Sequence, residues 1–309
     1  MRKPPRLCTG DKVGIAAPAS NIQRDALDQG CDKIRDLGFE PVYDESIFER
    51  DLFFAGTVER RVHELERLFA RDDVKAIVCA RGGYGTNYLL SRIDVNVVKA
   101  NPKIFIGYSD VTTLLTHFLD RAQVVNFHGP MVTKDIANEG GMDLSSWRAA
   151  LYGEQSWTIR SDQASGFFGI RDGKCRGVLY GGCLSMLVAS LGTAYEFQAT
   201  NAVLFLEDVA AKPFQIDRML MQLKLANKLV NVKGIVFGEM LDCVQSQHQD
   251  YTLQNVVLRV LEDLNVPIAF GLRSGHVTRE NITLPFGVES ELTVQGTAAE
   301  LAILEPSVS

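Results

Sequence analysis

The sequence lacks any run of lysine and arginine: 32 basic and 38 acidic residues are spread over 309 positions, giving a formal charge of −6. Nucleic-acid backbones are held by clustered cations, so nucleic acid is not an expected partner. No apolar stretch reaches the roughly 18 residues of a membrane span. The start, Met1-Arg2-Lys3-Pro4-Pro5-Arg6, is basic, but Gly10, Asp11 and Lys12 come soon after it and leave no apolar core of a signal peptide. A soluble cytoplasmic protein with no membrane partner is expected. The six cysteines, at 8, 31, 79, 175, 183 and 243, include no Cys-x-x-Cys pair. The five histidines, at 63, 117, 128, 248 and 276, include no His-x-x-x-His pair, so only a metal site assembled from distant residues remains open.

What is present is ordinary globular composition, 46% hydrophobic and 23% charged, in a chain long enough for two cores. The first half alternates short apolar runs with helical patterns. These are 13–17 then 24–37, 41–43 then 58–69, 74–80 then 84–91, and 104–108 then 111–119. Such a βαβα series predicts a parallel sheet whose strand-to-helix loops are candidate ligand sites. Between about Gly153 and Gly173 the pattern fades into polar, glycine-containing sequence, where a linker is expected. Beyond it come strand candidates at 177–180, 202–206, 234–237, 267–270, 282–284 and 291–294, with helical candidates at 213–229 and 253–264.

Four segments have the residue types of acyl-transfer chemistry. In Ile104-Phe105-Ile106-Gly107-Tyr108-Ser109-Asp110-Val111 a buried strand gives way to a sharp turn and a helix, with Ser109 at the turn. A serine there can project its hydroxyl above the sheet beside helix amides that stabilise an oxyanion. The pattern is that of a nucleophile elbow without its second glycine, Val111 standing in that place. Serine is equally a favoured helix cap, so this segment alone leaves both roles open. Arg81-Gly82-Gly83-Tyr84-Gly85 comes after a strand and offers free amides to an anion, or is simply a tight turn needing positive φ. Leu204-Phe205-Leu206-Glu207-Asp208 ends a strand in two acids, either of which could orient a histidine or only cap a helix. His276 lies in a loop after the 267–270 strand candidate.

Taken in order, these segments resemble the LD-carboxypeptidase family of serine peptidases. The resemblance runs nearly end to end: Gly10-Asp11-Lys12-Val13-Gly14 to Pro18-Ala19-Ser20, Arg81 to Gly85, Gly107 to Thr112, and Phe127-His128-Gly129-Pro130-Met131. It continues through Gly181-Gly182-Cys183-Leu184-Ser185, Leu206-Glu207-Asp208-Val209, Ile216-Asp217-Arg218-Met219-Leu220, Gly275-His276-Val277 and Leu284-Pro285-Phe286-Gly287. Cys183 departs from the pattern, where asparagine is expected.

The resemblance implies a serine–glutamate–histidine triad at Ser109, Glu207 and His276, with oxyanion donors at the amides of Gly83 or Gly85 and of Asp110. It implies an α/β architecture: an N-terminal Rossmann-like parallel-sheet domain, 1–160, carries the nucleophile. A smaller C-terminal α/β domain with a strand-built, barrel-like core, 161–309, carries the other two residues. The active site would lie between the domains of a homodimer. The implied activity is release of the terminal D-alanine from cytoplasmic murein tetrapeptides during peptidoglycan recycling, with no metal or organic cofactor. Arg81 is a candidate for the substrate's terminal carboxylate. Two other readings stand beside this one. A microcin-immunity-type hydrolase cleaving peptidyl or aminoacyl adenylate-like toxins would keep the triad; Trp147 and Trp157 are the only tryptophans, and neither marks an obvious insertion for stacking on a nucleobase. A non-enzymatic module binding a small anion would use the glycine turns alone.

Overall fold

The computed structural model describes residues 1–153, 155–161, 166–244 and 250–309. Glu154 and 162–165 of the expected linker, and His248, lie outside the described residues. The chain forms two compact units. The first comprises 1–155, 279–287 and 306–309, and the second 156–278 and 288–305.

The first unit is built on β1 (Lys12–Ala16), α1 (Arg24–Asp36), β2 (Glu40–Val42), α2 (Val58–Ala70), β3 (Val74–Cys79), α3 (Val95–Ala100), β4 (Ile104–Gly107), α4 (Thr112–His117), β5 (Asn126–His128) and α5 (Leu144–Leu151). Its central strands β1, β3 and β4 are mostly apolar because both faces are covered; β4, Ile-Phe-Ile-Gly, is buried throughout, whereas the edge strand β2, Glu-Pro-Val, is part exposed. Helix α2 starts where the Thr57 hydroxyl accepts from the Arg60 amide at 3.2 Å, and it buries Val62, Leu65, Leu68 and Phe69. Strands β2, β1, β3, β4 and β5 lie parallel in that order, so the order reverses between β1 and β3. Ligands favour the carboxyl side of such a reversal.

The second unit contains β6 (Trp157–Arg160), β7 (Phe168–Arg171), β8 (Gly173–Cys183), α6 (Leu184–Ala189), β9 (Ala202–Glu207), α7 (Pro213–Leu225), β10 (Gly234–Gly238), α8 (Leu253–Val260) and β11 (Ile268–Leu272). After β12 (Leu284–Phe286), which pairs antiparallel with β5 in the first sheet, β13 (Glu289–Gln295) and β14 (Ala298–Ile303) complete it. Among the described residues its strands run in the order β6-β14-β13-β8-β9-β10-β11-β7. The central four, β8 to β11, are parallel, and the flanking strands are antiparallel. The Gly169 amide of β7 donates to the Thr297 carbonyl in the turn between β13 and β14 at 3.0 Å, which draws that end of the sheet back toward the hairpin. Both sheets fit the α/β class expected from the sequence, and the first is parallel apart from β12.

Three local readings are corrected. The segment 84–91 is not an α-helix: after Gly83 and Gly85, at φ +108° and +130°, only a 3-10 turn at Thr86–Tyr88 forms. Tyr84 and Tyr88 instead join Phe53 and Phe54 in an aromatic cluster. The helix read over 111–119 is a 3-10 turn at Ser109–Val111, then α4, then a π-turn at Phe118–Ala122. In α4 the Thr116 hydroxyl bonds back to the carbonyls of Thr112 and Thr113, the kind of side-chain competition that disturbs regular helix. The strand read at 282–284 begins at Leu284, because the Thr283 amide is taken by the Ser146 hydroxyl at 3.0 Å.

This packing makes two predictions about stability. Gly181, at φ +144°, would place a Cβ 1.9 Å from the Phe205 carbonyl, whereas Gly192, at φ +74°, has nothing within 4 Å. Gly192→Ala should therefore cost about 1–2 kcal/mol for conformation alone. Gly181→Ala should cost more than about 3 kcal/mol, since backbone must also move. Urea denaturation measures both, and equal midpoints for the two variants would contradict the packing at Gly181. The second prediction concerns Asp135, whose carboxyl burial raises from 3.8 to about 6 against the opposing Met131 amide. Its native state holds the proton more tightly than the unfolded chain, so this contribution to stability is complete below 3.8 and is lost as pH rises through about 6. Asp135→Asn should remove that loss, gaining up to roughly 3 kcal/mol on wild type between pH 4 and pH 7. Parallel stability curves for the two proteins would contradict it.

Candidate active site

In the first unit the candidate residues gather at the carboxyl ends of β1, β3 and β4. Ser109 comes after β4 with φ +62°, a left-handed conformation that costs a non-glycine residue about 1–2 kcal/mol and persists only where its surroundings impose it. Those surroundings are close. A Cβ on Gly82 would lie 2.9 Å from Ser109 Cβ, and one on Gly107 would lie 2.7 Å from Val111 Cγ1, so both glycines are required for the approach. Val111, which occupies the place of the missing second glycine, is buried over Gly107. The serine itself is half-buried.

The glycine turn is fixed from two sides. Its Gly82 carbonyl accepts from the Ser20 amide at 3.3 Å, and the Ser20 hydroxyl accepts from the Tyr84 amide at 3.1 Å. The buried guanidinium of Arg61 donates to the carbonyls of Pro18 and Gly85 at 2.8 and 2.9 Å. Asp110 ties the turn to the serine: its carboxylate accepts from the Thr86 amide at 2.8 Å, and its carbonyl accepts from the Thr86 hydroxyl at 2.6 Å. Burial pushes the Asp110 carboxyl above its ordinary range, opposed by its hydrogen bonds from Thr86 and Gly85 and by Arg61. The Gly85 amide lies on the side of the same carboxyl, where it opposes the effect of burial. Among the described residues, the amides of Gly83 and Asp110 meet no internal acceptor, leaving both able to donate to a ligand. Arg81 is exposed, and one of its N–H groups donates to the Asn21 carbonyl at 3.2 Å.

In the second unit Glu207 and His276 meet at the carboxyl ends of β9 and β11. The fully buried Glu207 accepts from the His276 amide at 3.0 Å and lies 2.7 Å from its Nδ1. A carboxylate can only accept, so Nδ1 carries the hydrogen and Nε2 of the neutral ring holds the lone pair. Two glycines make room. A Cβ on Gly275 would lie 2.6 Å from Glu207 Cδ, and one on Gly238 would lie 2.6 Å from Glu207 Cβ. Asp208 faces elsewhere: it accepts from the amides of Ser185 and Val209 at 2.8 and 2.9 Å, holding the start of α6. Strand alternation separates the two acids.

Cys183 is the member of this group that sequence reasoning noted only as a departure. It pairs directly with Glu207 in the parallel ladder of β8 and β9, so the two side chains share a face. Donor atoms of Cys183, Glu207 and His276 lie within 4.8 Å of one another, a set able to hold a metal ion. Burial drives the Cys183 thiol well above its ordinary pKa, with Glu207 and Asp208 adding to the effect. Ser20 and Arg61 were also missed as supports of the glycine turn; Ser20 closes the first motif of the resemblance, but nothing local in sequence links it to residue 84.

Comparison with known proteins gives this geometry a family. Residues 13–129 match the LD-carboxypeptidase N-terminal domain, and residues 176–292 match the LD-carboxypeptidase C-terminal domain. A "Probable murein peptide carboxypeptidase" of Bacillus subtilis is 34% identical over 310 residues, covering 99% of this chain and 95% of its own. The "Murein tetrapeptide carboxypeptidase" of Pseudomonas aeruginosa is 28% identical, covering 89% of this chain and 91% of its own. A solved MccF-like protein from Bacillus anthracis has a TM-score of 0.88 at 25% identity, over 99% of this chain and 100% of that one. Matched in both of its domains and along nearly its whole length by a relative, the chain belongs to the LD-carboxypeptidase family.

Proposed function

We propose that the protein is a serine-type LD-carboxypeptidase that releases the terminal D-alanine of murein tetrapeptides in the cytoplasm, acting as a homodimer. The observation that carries this reading is the Glu207–His276 pair, whose 2.7 Å contact fixes the tautomer that leaves Nε2 as a base. His276 takes the proton of the Ser109 hydroxyl, and the oxygen attacks the carbonyl of the scissile amide. The amides of Gly83 and Asp110 receive the oxyanion. Collapse of the tetrahedral intermediate breaks the C–N bond, and D-alanine departs with the proton returned by His276. Water, deprotonated by the same Nε2, then hydrolyses the ester on Ser109. Glu207 stabilises the imidazolium in both halves, and Arg81 is assigned to the terminal carboxylate of the substrate.

Hydrolysis of aminoacyl adenylate-like compounds is the competing reading, supported by the likeness to the MccF-like structure. Incubation with each substrate class and mass spectrometry separates the two: loss of one D-alanine from the tetrapeptide is expected. Cleavage of an aminoacyl sulfamoyl adenosine with no release of D-alanine would replace the proposal.

Two variants test the machinery. Ser109→Ala should abolish kcat while leaving the melting temperature within a few degrees of wild type or above it, since the variant loses only a hydroxyl. Wild-type kcat in this variant would remove Ser109 as nucleophile. Glu207→Gln keeps the shape but not the charge and should lower kcat by about 10⁴, as loss of the corresponding charge does in serine-protease triads. Asp208→Asn should cost far less, its carboxylate holding backbone rather than His276. A greater loss for the Asp208 variant would contradict the pairing.

A further inference from the structure

We propose that Cys183, Glu207 and His276 form an inhibitory site for a thiophilic divalent cation, Zn²⁺ above all. The three residues supply one thiolate, one carboxylate and one imidazole, a donor set suited to zinc, and their donor atoms lie within 4.8 Å of one another. The backbone has already brought them together. Cys183 and Glu207 are cross-strand partners in β8 and β9, and the His276 loop is anchored on Glu207 through its own amide at 3.0 Å. Little ordering remains for the ion to impose. Glu207 and Cys183 are buried and His276 is half-buried, so the ion's remaining coordination position can be filled by water from the His276 side.

Charge favours the complex. Two positive charges meet one thiolate and one carboxylate, leaving a neutral centre, which avoids the cost of a buried net charge. The thiol proton leaves to solvent as the Zn–S bond forms. The ion inserts between His276 Nδ1 and Glu207, whose 2.7 Å separation must open to about 3.3 Å for tetrahedral coordination, and the displaced hydrogen moves to Nε2. The nitrogen that the proposed mechanism uses as base then has no lone pair, so occupancy and hydrolysis exclude one another. Asparagine at position 183, as the family pattern expects, offers no thiolate, and the site is a consequence of the cysteine in this chain.

The inhibition rests on the serine-hydrolase reading, but the binding does not, and the experiment keeps them apart. The full chain is titrated with Co²⁺, monitored by its thiolate charge-transfer absorption, and with Zn²⁺ by calorimetry. Wild type and Ser109→Ala should each bind one ion per chain with the absorption band. Cys183→Ser and Cys183→Asn, checked for wild-type folding by circular dichroism, should lose the band and bind more than about 100-fold more weakly. Hydrolysis by wild type should fall in step with zinc occupancy and return on adding EDTA, while the Cys183→Ser enzyme resists the same zinc. Absence of stoichiometric binding in wild type, a band that survives Cys183→Ser, or equal zinc sensitivity of the two enzymes would overturn the site. Binding by wild type with no hydrolysis under any condition would leave the site standing and remove the proposed function instead.

Discussion

A carboxylate taken out of water must be met by donors, and this protein meets its buried acids with the amides of loops at the ends of strands. Glu64 accepts from the Ala17 amide after β1, Asp110 from Thr86 after β3, and Asp135 from Met131 after β5. In the second unit Asp208 accepts from Ser185 after β8, and Glu207 from His276 after β11. The Asp135 bond closes one local turn, and the other four connect segments that the sheet alone leaves free. The loops that hold Ser109, the glycine turn and His276 are positioned this way.

The desolvation that makes these acids expensive also makes their bonds effective. Burial raises the carboxyls of Glu64, Asp110, Asp135 and Asp208, and in each case nearby N–H groups or cations draw the pKa back. For Glu64 the compensation includes Arg60, 2.9 Å away, and for Asp110 it includes Arg61. Removing a donor from such a pair leaves a buried acid uncompensated, which is costlier than losing an exposed ion pair. At Glu207 one of the partners is the imidazole of His276, 2.7 Å away. The same oxygen that anchors the loop also orients the imidazole, so support and proposed chemistry meet at one atom.

Sequence periodicity made β1 to β4 legible, because buried parallel strands are short apolar runs with clear glycine and polar boundaries, but it did not show the three-residue β5, Asn-Phe-His. It was silent where pairing is remote. Strand β12 reads as three apolar residues near the C-terminus, and nothing local shows that it pairs with β5. The edge strands β6 and β7 are half-exposed and mixed in composition, so the stretch 153–173 that holds them reads as a linker although both strands form within it. At the candidate site the residue types were visible and their conformations were not. The positive φ of Ser109 depends on Gly82 from another loop, and the proximity of Cys183 to Glu207 depends on the register of two strands. The side chains of Glu207 and Asp208 had to diverge by strand geometry, yet which one met the histidine depended on the fold around Gly275 and Gly238.

The central claim is that Ser109 is a nucleophile activated by His276. The most direct measurement is labelling with a serine-directed fluorophosphonate, read by intact-mass and peptide mass spectrometry. One adduct per chain, confined to Ser109 and abolished in His276→Ala, is the predicted result. Labelling at another serine, or undiminished labelling of Ser109 in the His276 variant, would contradict it.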